Sequence, residues 1–131
     1  MSGKPLRELV AAAKQARARA YAPYSGYRVG AAVRGASGRI YAGCNVENAT
    51  YGATMCAERV AVGNMVAAGE KRLVAVAVVT GGKQPGMPCG ICRQVLVELG
   101  DDVEVIVEAG GVRKKTTLAA LLPEPFVLRK R

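Results

Sequence analysis

Two short segments of this 131-residue chain carry residues able to hold a metal ion and use it. They are Cys56-Ala57-Glu58-Arg59 and Pro88-Cys89-Gly90-Ile91-Cys92-Arg93, each at the start of a stretch that reads as a helix. Cys89 and Cys92 are three apart, so on one helix they share a face and can grip one ion. Cys56 supplies a third thiolate, and a tetrahedral ion with three protein ligands keeps one position open for water. Structural zinc sites are closed by four protein ligands, so a three-plus-water count points to catalysis. Zinc lowers the pKa of its bound water from near 15.7 toward about 7, and Glu58 is the residue placed to shuttle protons. Helical residues two apart face nearly opposite sides. Cys56 is therefore predicted at the helix cap, with extended dihedrals, so that it and Glu58 can face one ion. Three thiolates around a dication leave one net negative charge, which weakens the Lewis acid. Arg59 and Arg93 are expected to donate hydrogen bonds to the sulfurs, helped by two helix N-termini.

Other uses of the cysteines stay open at this point. Cys-x-x-Cys alone also serves as a redox pair, and Cys56 alone reads as a buried thiol. Cys44 could close a structural zinc knuckle as a fourth ligand. Histidine is absent, so any transition-metal site must rest on sulfur.

The elements that position these groups follow from hydrophobic periodicity. Over residues 5–21, Leu6, Leu9, Val10, Ala13, Ala16 and Ala20 recur at helical spacing, with Pro5 near the start. Residues 27–33 and 39–46 read as strands joined by the hairpin turn Gly35-Ala36-Ser37-Gly38. A polar loop over 47–54 leads to a second helix over 56–68, closed by Gly69. Residues 73–80 (LVAVAVVT) form a β-branched run typical of a strand covered on both faces. A Gly- and Pro-rich loop over 81–88 precedes a third helix over 89–99, a strand over 103–107 and a short helix over 117–122. The order α-β-β-α-β-α-β-α predicts an α/β protein, three layers α/β/α around a mixed sheet.

The chain has the size of one domain with one core, so residues 1–131 are expected to form a single domain. Half of its residues are apolar and 22% charged, which excludes general disorder. No apolar run approaches the ~20 residues of a membrane-spanning helix, and no export leader opens the sequence. A cytoplasmic location is the expectation. The net charge of +9 raises the question of nucleic acid. Its basic residues are scattered, clustering only at Arg113-Lys114-Lys115 and Arg129-Lys130-Arg131, and one Phe with no Trp offers little stacking surface. A nucleic-acid partner is not expected.

The Cys-Ala-Glu and Pro-Cys-x-x-Cys segments together match the signature of zinc deaminases. With them, Tyr21-Ala22-Pro23-Tyr24-Ser25, Val29-Gly30-Ala31-Ala32, Gly43-Cys44-Asn45-Val46-Glu47-Asn48-Ala49 and Leu121-Leu122-Pro123 resemble the small, homotetrameric cytidine deaminases. The resemblance implies a five-stranded mixed sheet flanked by helices and one Zn2+ per subunit on Cys56, Cys89 and Cys92. It implies hydrolytic deamination of cytidine and 2′-deoxycytidine to the uridines, with Glu58 moving protons between water, N3 and the leaving ammonia. Asn45 and Glu47 match the residues that bond the ribose 3′-hydroxyl. At alternate positions on a strand end they point the same way, although Asn-x-Glu-Asn alone reads as a turn. Tyr27 stands where the family usually has Phe beside the pyrimidine, and Tyr51 is a further substrate contact. Phe126 matches an aromatic that stacks on the base in a neighbouring subunit's site; by itself it reads equally as a tail anchor. The implied partners are a pyrimidine nucleoside and three further copies of the chain, with sites at subunit interfaces. A modified cytosine nucleoside and a flipped base in a nucleic-acid strand are the alternative substrates, the latter needing an open groove.

Overall fold

The structure is a computed structural model that describes residues 3–130. Helix α1 (Lys4–Arg17) is followed by β1 (Val29–Gly35), β2 (Ile40–Cys44), a short 3-10 turn (Tyr51–Ala53) and α2 (Ala57–Ala67). Then come β3 (Leu73–Thr80), α3 (Gly90–Glu98), β4 (Glu104–Ala109), β5 (Val112–Thr117) and α4 (Leu118–Leu121). The strands form one five-stranded sheet in the order β2-β1-β3-β4-β5. Only β3 and β4 run parallel; the other neighbours are antiparallel, so the sheet is mixed as expected.

Alternation along β3 divides the core into two layers. Ala75, Ala77 and Val79 pack with Ala32 and Ile106 under Leu6, Leu9, Val10 and Ala13 of α1. Val76 and Val78 pack on the other face, with Val33, Val105 and Val107, against Ala61 and Met65 of α2 and Leu96 of α3. Both faces of β3 are thus covered, and this is why its sequence is an unbroken apolar run. Gly43 sets the seat of α2. A Cβ there would fall 2.5 Å from the Ala61 nitrogen, so the helix lies directly on the β2 backbone.

Several predicted boundaries move, each for a physical reason. The first helix ends at Arg17 rather than at residue 21, because the Tyr21 backbone is needed elsewhere. Its N–H donates to the Asn45 carbonyl at 3.0 Å, and its carbonyl accepts from Glu47 N–H at 2.9 Å. The first strand begins at Val29, not at residue 27, because the Asn45 side chain replaces the ladder there. Asn45 Nδ2 donates to the Tyr27 carbonyl at 2.8 Å, and Oδ1 accepts from Val29 N–H at 2.9 Å. Strand β5 falls on residues that the hydrophobic pattern left as loop. Its residues Val112 to Lys115 are exposed, so no apolar alternation marks it. Gly110 and Gly111, both at positive φ, turn the chain back onto β4 in a two-residue hairpin.

Candidate active site

Two helix starts meet at one edge of the α2/α3 layer. Cys56 caps α2 with φ −70° and ψ 150°, the extended placement expected from its spacing to Glu58. Cys89 caps α3 in the same way, with φ −66° and ψ 170°, and Cys92 lies in the first turn. Neither cap sulfur is spent on a helix N–H, so both are free to turn toward an ion. The three sulfurs all lie within 4.8 Å of one another. Cys56 Sγ and Cys89 Sγ are 3.8 Å apart. Tetrahedral zinc with Zn–S bonds of about 2.3 Å requires neighbouring sulfurs about 3.8 Å apart, so the donor set fits the ion. Cys44 stands apart, half-buried in a groove between α1 and α2, and the four-sulfur knuckle is set aside. All four cysteines are free thiols.

Arg59 reaches a sulfur: Nη2 donates to Cys56 Sγ at 3.6 Å and to the Thr54 carbonyl at 3.1 Å. Arg93 does not contact a sulfur. Its Nε donates to the Pro88 carbonyl at 2.8 Å and its Nη1 to the Leu121 carbonyl at 3.0 Å. It ties the turn that carries Cys89 to α4, because those carbonyls lie within reach of its guanidinium. Cys56 is drawn down to about 5, first by the hydrogen bond from Cys92 and then by Arg59, while Cys92 is pushed up.

Beside the sulfurs is a cavity of about 200 Å³, lined by Tyr27, Asn45, Thr54, Cys56, Glu58 and Cys89 among others. Glu58 is 5% exposed, and burial raises its carboxyl to about 6, with the Cys56 charge adding to the rise. A carboxyl held there can accept and give up a proton near neutral pH. Sequence reasoning missed part of this lining. Thr54, Met55, Gly86 and Met87 stand within a few residues of the ligands, and that proximity was the available signal. Gly86 matters for its size. A Cβ there would lie 2.9 Å from the Tyr27 hydroxyl, so the phenol of Tyr27 and the bare backbone at 86 fit one another.

Next to this cavity, and sharing Thr54 with it, is a depression of about 370 Å³ lined by Tyr24, Ser25, Glu47, Asn48 and Tyr51. Asn45 and Glu47 therefore fall in adjoining spaces rather than in one. Glu47 accepts from Tyr24 N–H at 2.9 Å, Ser25 N–H at 3.1 Å and the Ser25 hydroxyl. The Ser25 hydroxyl foremost holds its carboxyl below the usual carboxylate range. Tyr51, 83% exposed, stands at the rim. Phe126 is 71% exposed and is absent from the lining of its own chain's cavity.

Three thiolates able to hold zinc, with a buried carboxyl at the wall of a small cavity and a three-layer α/β/α fold, define a zinc-dependent hydrolase. Residues 4–109 match the family model for the cytidine and deoxycytidylate deaminase zinc-binding region. A cytidine deaminase of Sporosarcina psychrophila is 43% identical over 92% of this chain and 90% of its own length. One from Mycobacterium tuberculosis is 47% identical over 88% of this chain and 85% of its own length. A crystal structure of cytidine deaminase from Burkholderia pseudomallei aligns with a TM-score of 0.88 at 45% identity, covering 96% of this chain and 100% of that one. This chain belongs to the cytidine and deoxycytidylate deaminase family.

Proposed function

We propose that the chain, as one domain over residues 1–131, hydrolyses the exocyclic amine of cytidine and 2′-deoxycytidine, giving the uridines and ammonia. The observation that carries this reading is Glu58, buried at a cavity wall that also includes Cys56 and Cys89. Cys56, Cys89 and Cys92 would hold the zinc ion, which when bound would make water ionisable near neutral pH. Glu58 takes a proton from the attacking water and delivers it to N3 as oxygen adds at C4. It then takes the remaining proton of the hydroxyl now on C4 and passes it to the amine nitrogen, so that ammonia leaves as the C4–N bond breaks and the C4 carbonyl forms. Water enters and ammonia leaves, and no oxidant or co-substrate is required. The pyrimidine takes the cavity beside Tyr27, and the ribose lies where that cavity adjoins the depression, with Asn45 meeting its hydroxyls from the cavity side and Glu47 and Tyr51 from the other. Asn45 and Glu47 reach the sugar from positions already braced by the backbone, which favours an intact nucleoside over a bare base.

The working form is a homotetramer in which Phe126 closes a neighbour's site. Exposed apolar side chains at the cavity mouth, Tyr27, Met55 and Met87, support that reading, as does the outward-facing Phe126. Among the described residues no helix is long and apolar enough to cross a membrane, and four free thiols suit the cytoplasm as its compartment. Loss of the cytosine ultraviolet band with ammonia release, in zinc-loaded protein but not in Glu58→Ala, is the test. Equal turnover in the Glu58→Ala protein would overturn the role given to Glu58; no turnover of either nucleoside would overturn the substrate.

A further inference from the structure

The tail beyond α4 poses a problem of orientation. Phe126, Val127 and Leu128 are 71%, 78% and 70% exposed, so burial of their own side chains does little to fix them. The backbone is nevertheless held at one point. Gln94 Oε1 accepts from Phe126 N–H at 3.2 Å, and Gln94 Nε2 donates to the Phe126 carbonyl at 2.8 Å. A primary amide offers one acceptor and one donor in a plane, so it pairs with a residue's N–H and C=O as a strand neighbour would. Two bonds to one residue fix its rotation as well as its position, and hence the direction of its Cα–Cβ bond. Further along, Lys130 Nζ lies 3.3 Å from Glu98 Oε2, a second tie to the same helix. Gln94 is two residues beyond Cys92 on α3.

We propose that Gln94 is a positioning residue that aims the Phe126 ring at the base bound in a neighbouring subunit. The inference rests on the tetramer reading above. One helix thereby serves two sites: its first turn carries Cys92 for its own subunit, and Gln94 in its middle presents an aromatic ring to the next. Gln94 touches neither metal nor substrate, so it acts on affinity through Phe126 alone. The glutamine amide is required in both halves, because a carboxylate keeps the acceptor and loses the donor.

Steady-state kinetics on the full-length, zinc-loaded protein test this with Gln94→Ala, Gln94→Glu, Phe126→Ala and the double Ala variant. Phe126→Ala is expected to raise KM for cytidine by about fivefold or more, the lower end of what base–aromatic stacking contributes. Gln94→Ala should raise KM in the same direction, with Gln94→Glu in between, and with kcat and zinc content unchanged. In the Phe126→Ala background, removal of Gln94 should add nothing. A rise in KM for Phe126→Ala but none for Gln94→Ala overturns the inference and leaves the tetramer reading standing. An unchanged KM in Phe126→Ala removes the tetramer reading, and this inference falls with it. A loss of zinc or of kcat on Gln94→Ala, equal with and without Phe126, makes Gln94 a support of α3 and also overturns the inference.

Discussion

Glu58 and Cys56 are two residues apart, and no continuous helix can turn both toward one point. The spacing by itself therefore demanded a cap, and Cys56 has the extended dihedrals of one. This part of the site was legible because backbone geometry leaves a single solution. Proton transfer by a placed carboxyl contributes about a hundredfold to ten-thousandfold. Glu58→Gln should lose turnover within that range while binding zinc as well as the parent, as read by metal analysis beside the ultraviolet assay. Loss of zinc in step with activity would make Glu58 a metal-site residue instead. The contact between Tyr27 and Gly86 was not legible, since it joins residues far apart in sequence through a shape alone. Gly86→Ala should raise KM for cytidine several-fold, roughly the effect of about 1 kcal/mol of crowding. Adding Tyr27→Phe should restore much of the loss, because the hydroxyl that meets the new methyl is gone. If the second substitution restores nothing, the crowding lies elsewhere in the loop.

At the scale of elements, the strongest periodic signals were read correctly and the polar ones were not. β3 was found to the residue because both its faces are buried. β5 was missed because an edge strand gains from charge: Arg113, Lys114 and Lys115 discourage pairing with another chain, and they hide the strand from a hydrophobic pattern. The two glycines before it were the available signal. The hairpin β1–β2 depends on a residue from a connection elsewhere in the chain. Glu70, between α2 and β3, accepts from Ser37 N–H at 2.8 Å, the Ser37 hydroxyl at 2.7 Å and the Tyr41 hydroxyl at 2.8 Å. The Ser37 backbone bond foremost holds the Glu70 carboxyl below its ordinary 4.5. A depressed carboxyl contributes stability above that value and loses it as pH falls through the folded one. Glu70→Gln should therefore lower Tm near pH 7, and the gap to the parent should narrow as pH is taken below about 4.5. A gap that stays constant across that range would show that the carboxylate charge does not matter there. The caps of α2 and α3 give a second test. Zinc binds the folded site, so a chelator should lower Tm, with the loss scaling with zinc removed. An unchanged Tm after complete removal would mean that the two helix starts hold together without the ion.

Over the whole molecule, the site as a single chain forms it is open on one side. Its cavity is rimmed by exposed apolar groups, while the chain's only Phe is held away from that cavity on a braced tail. In the tetramer proposed above, the apolar rim of one copy would meet the displaced aromatic of another. The sequence could suggest this through resemblance, but no pattern within one chain encodes which surface faces a neighbour. If Phe126 works across an interface, Glu58 and Phe126 of one functional site belong to different subunits. Glu58→Ala and Phe126→Ala chains, co-expressed to give mixed tetramers, should then complement each other. Some sites will combine an intact Glu58 with a Phe126 donated by a catalytically inactive neighbour, and these sites should show the parent's KM. Activity at low cytidine should exceed the weighted sum of the two variants measured separately. An activity equal to that sum would place Phe126 in its own subunit or outside the reaction, and the aromatic closing the cavity would have to be sought among Tyr24, Tyr27 and Tyr51.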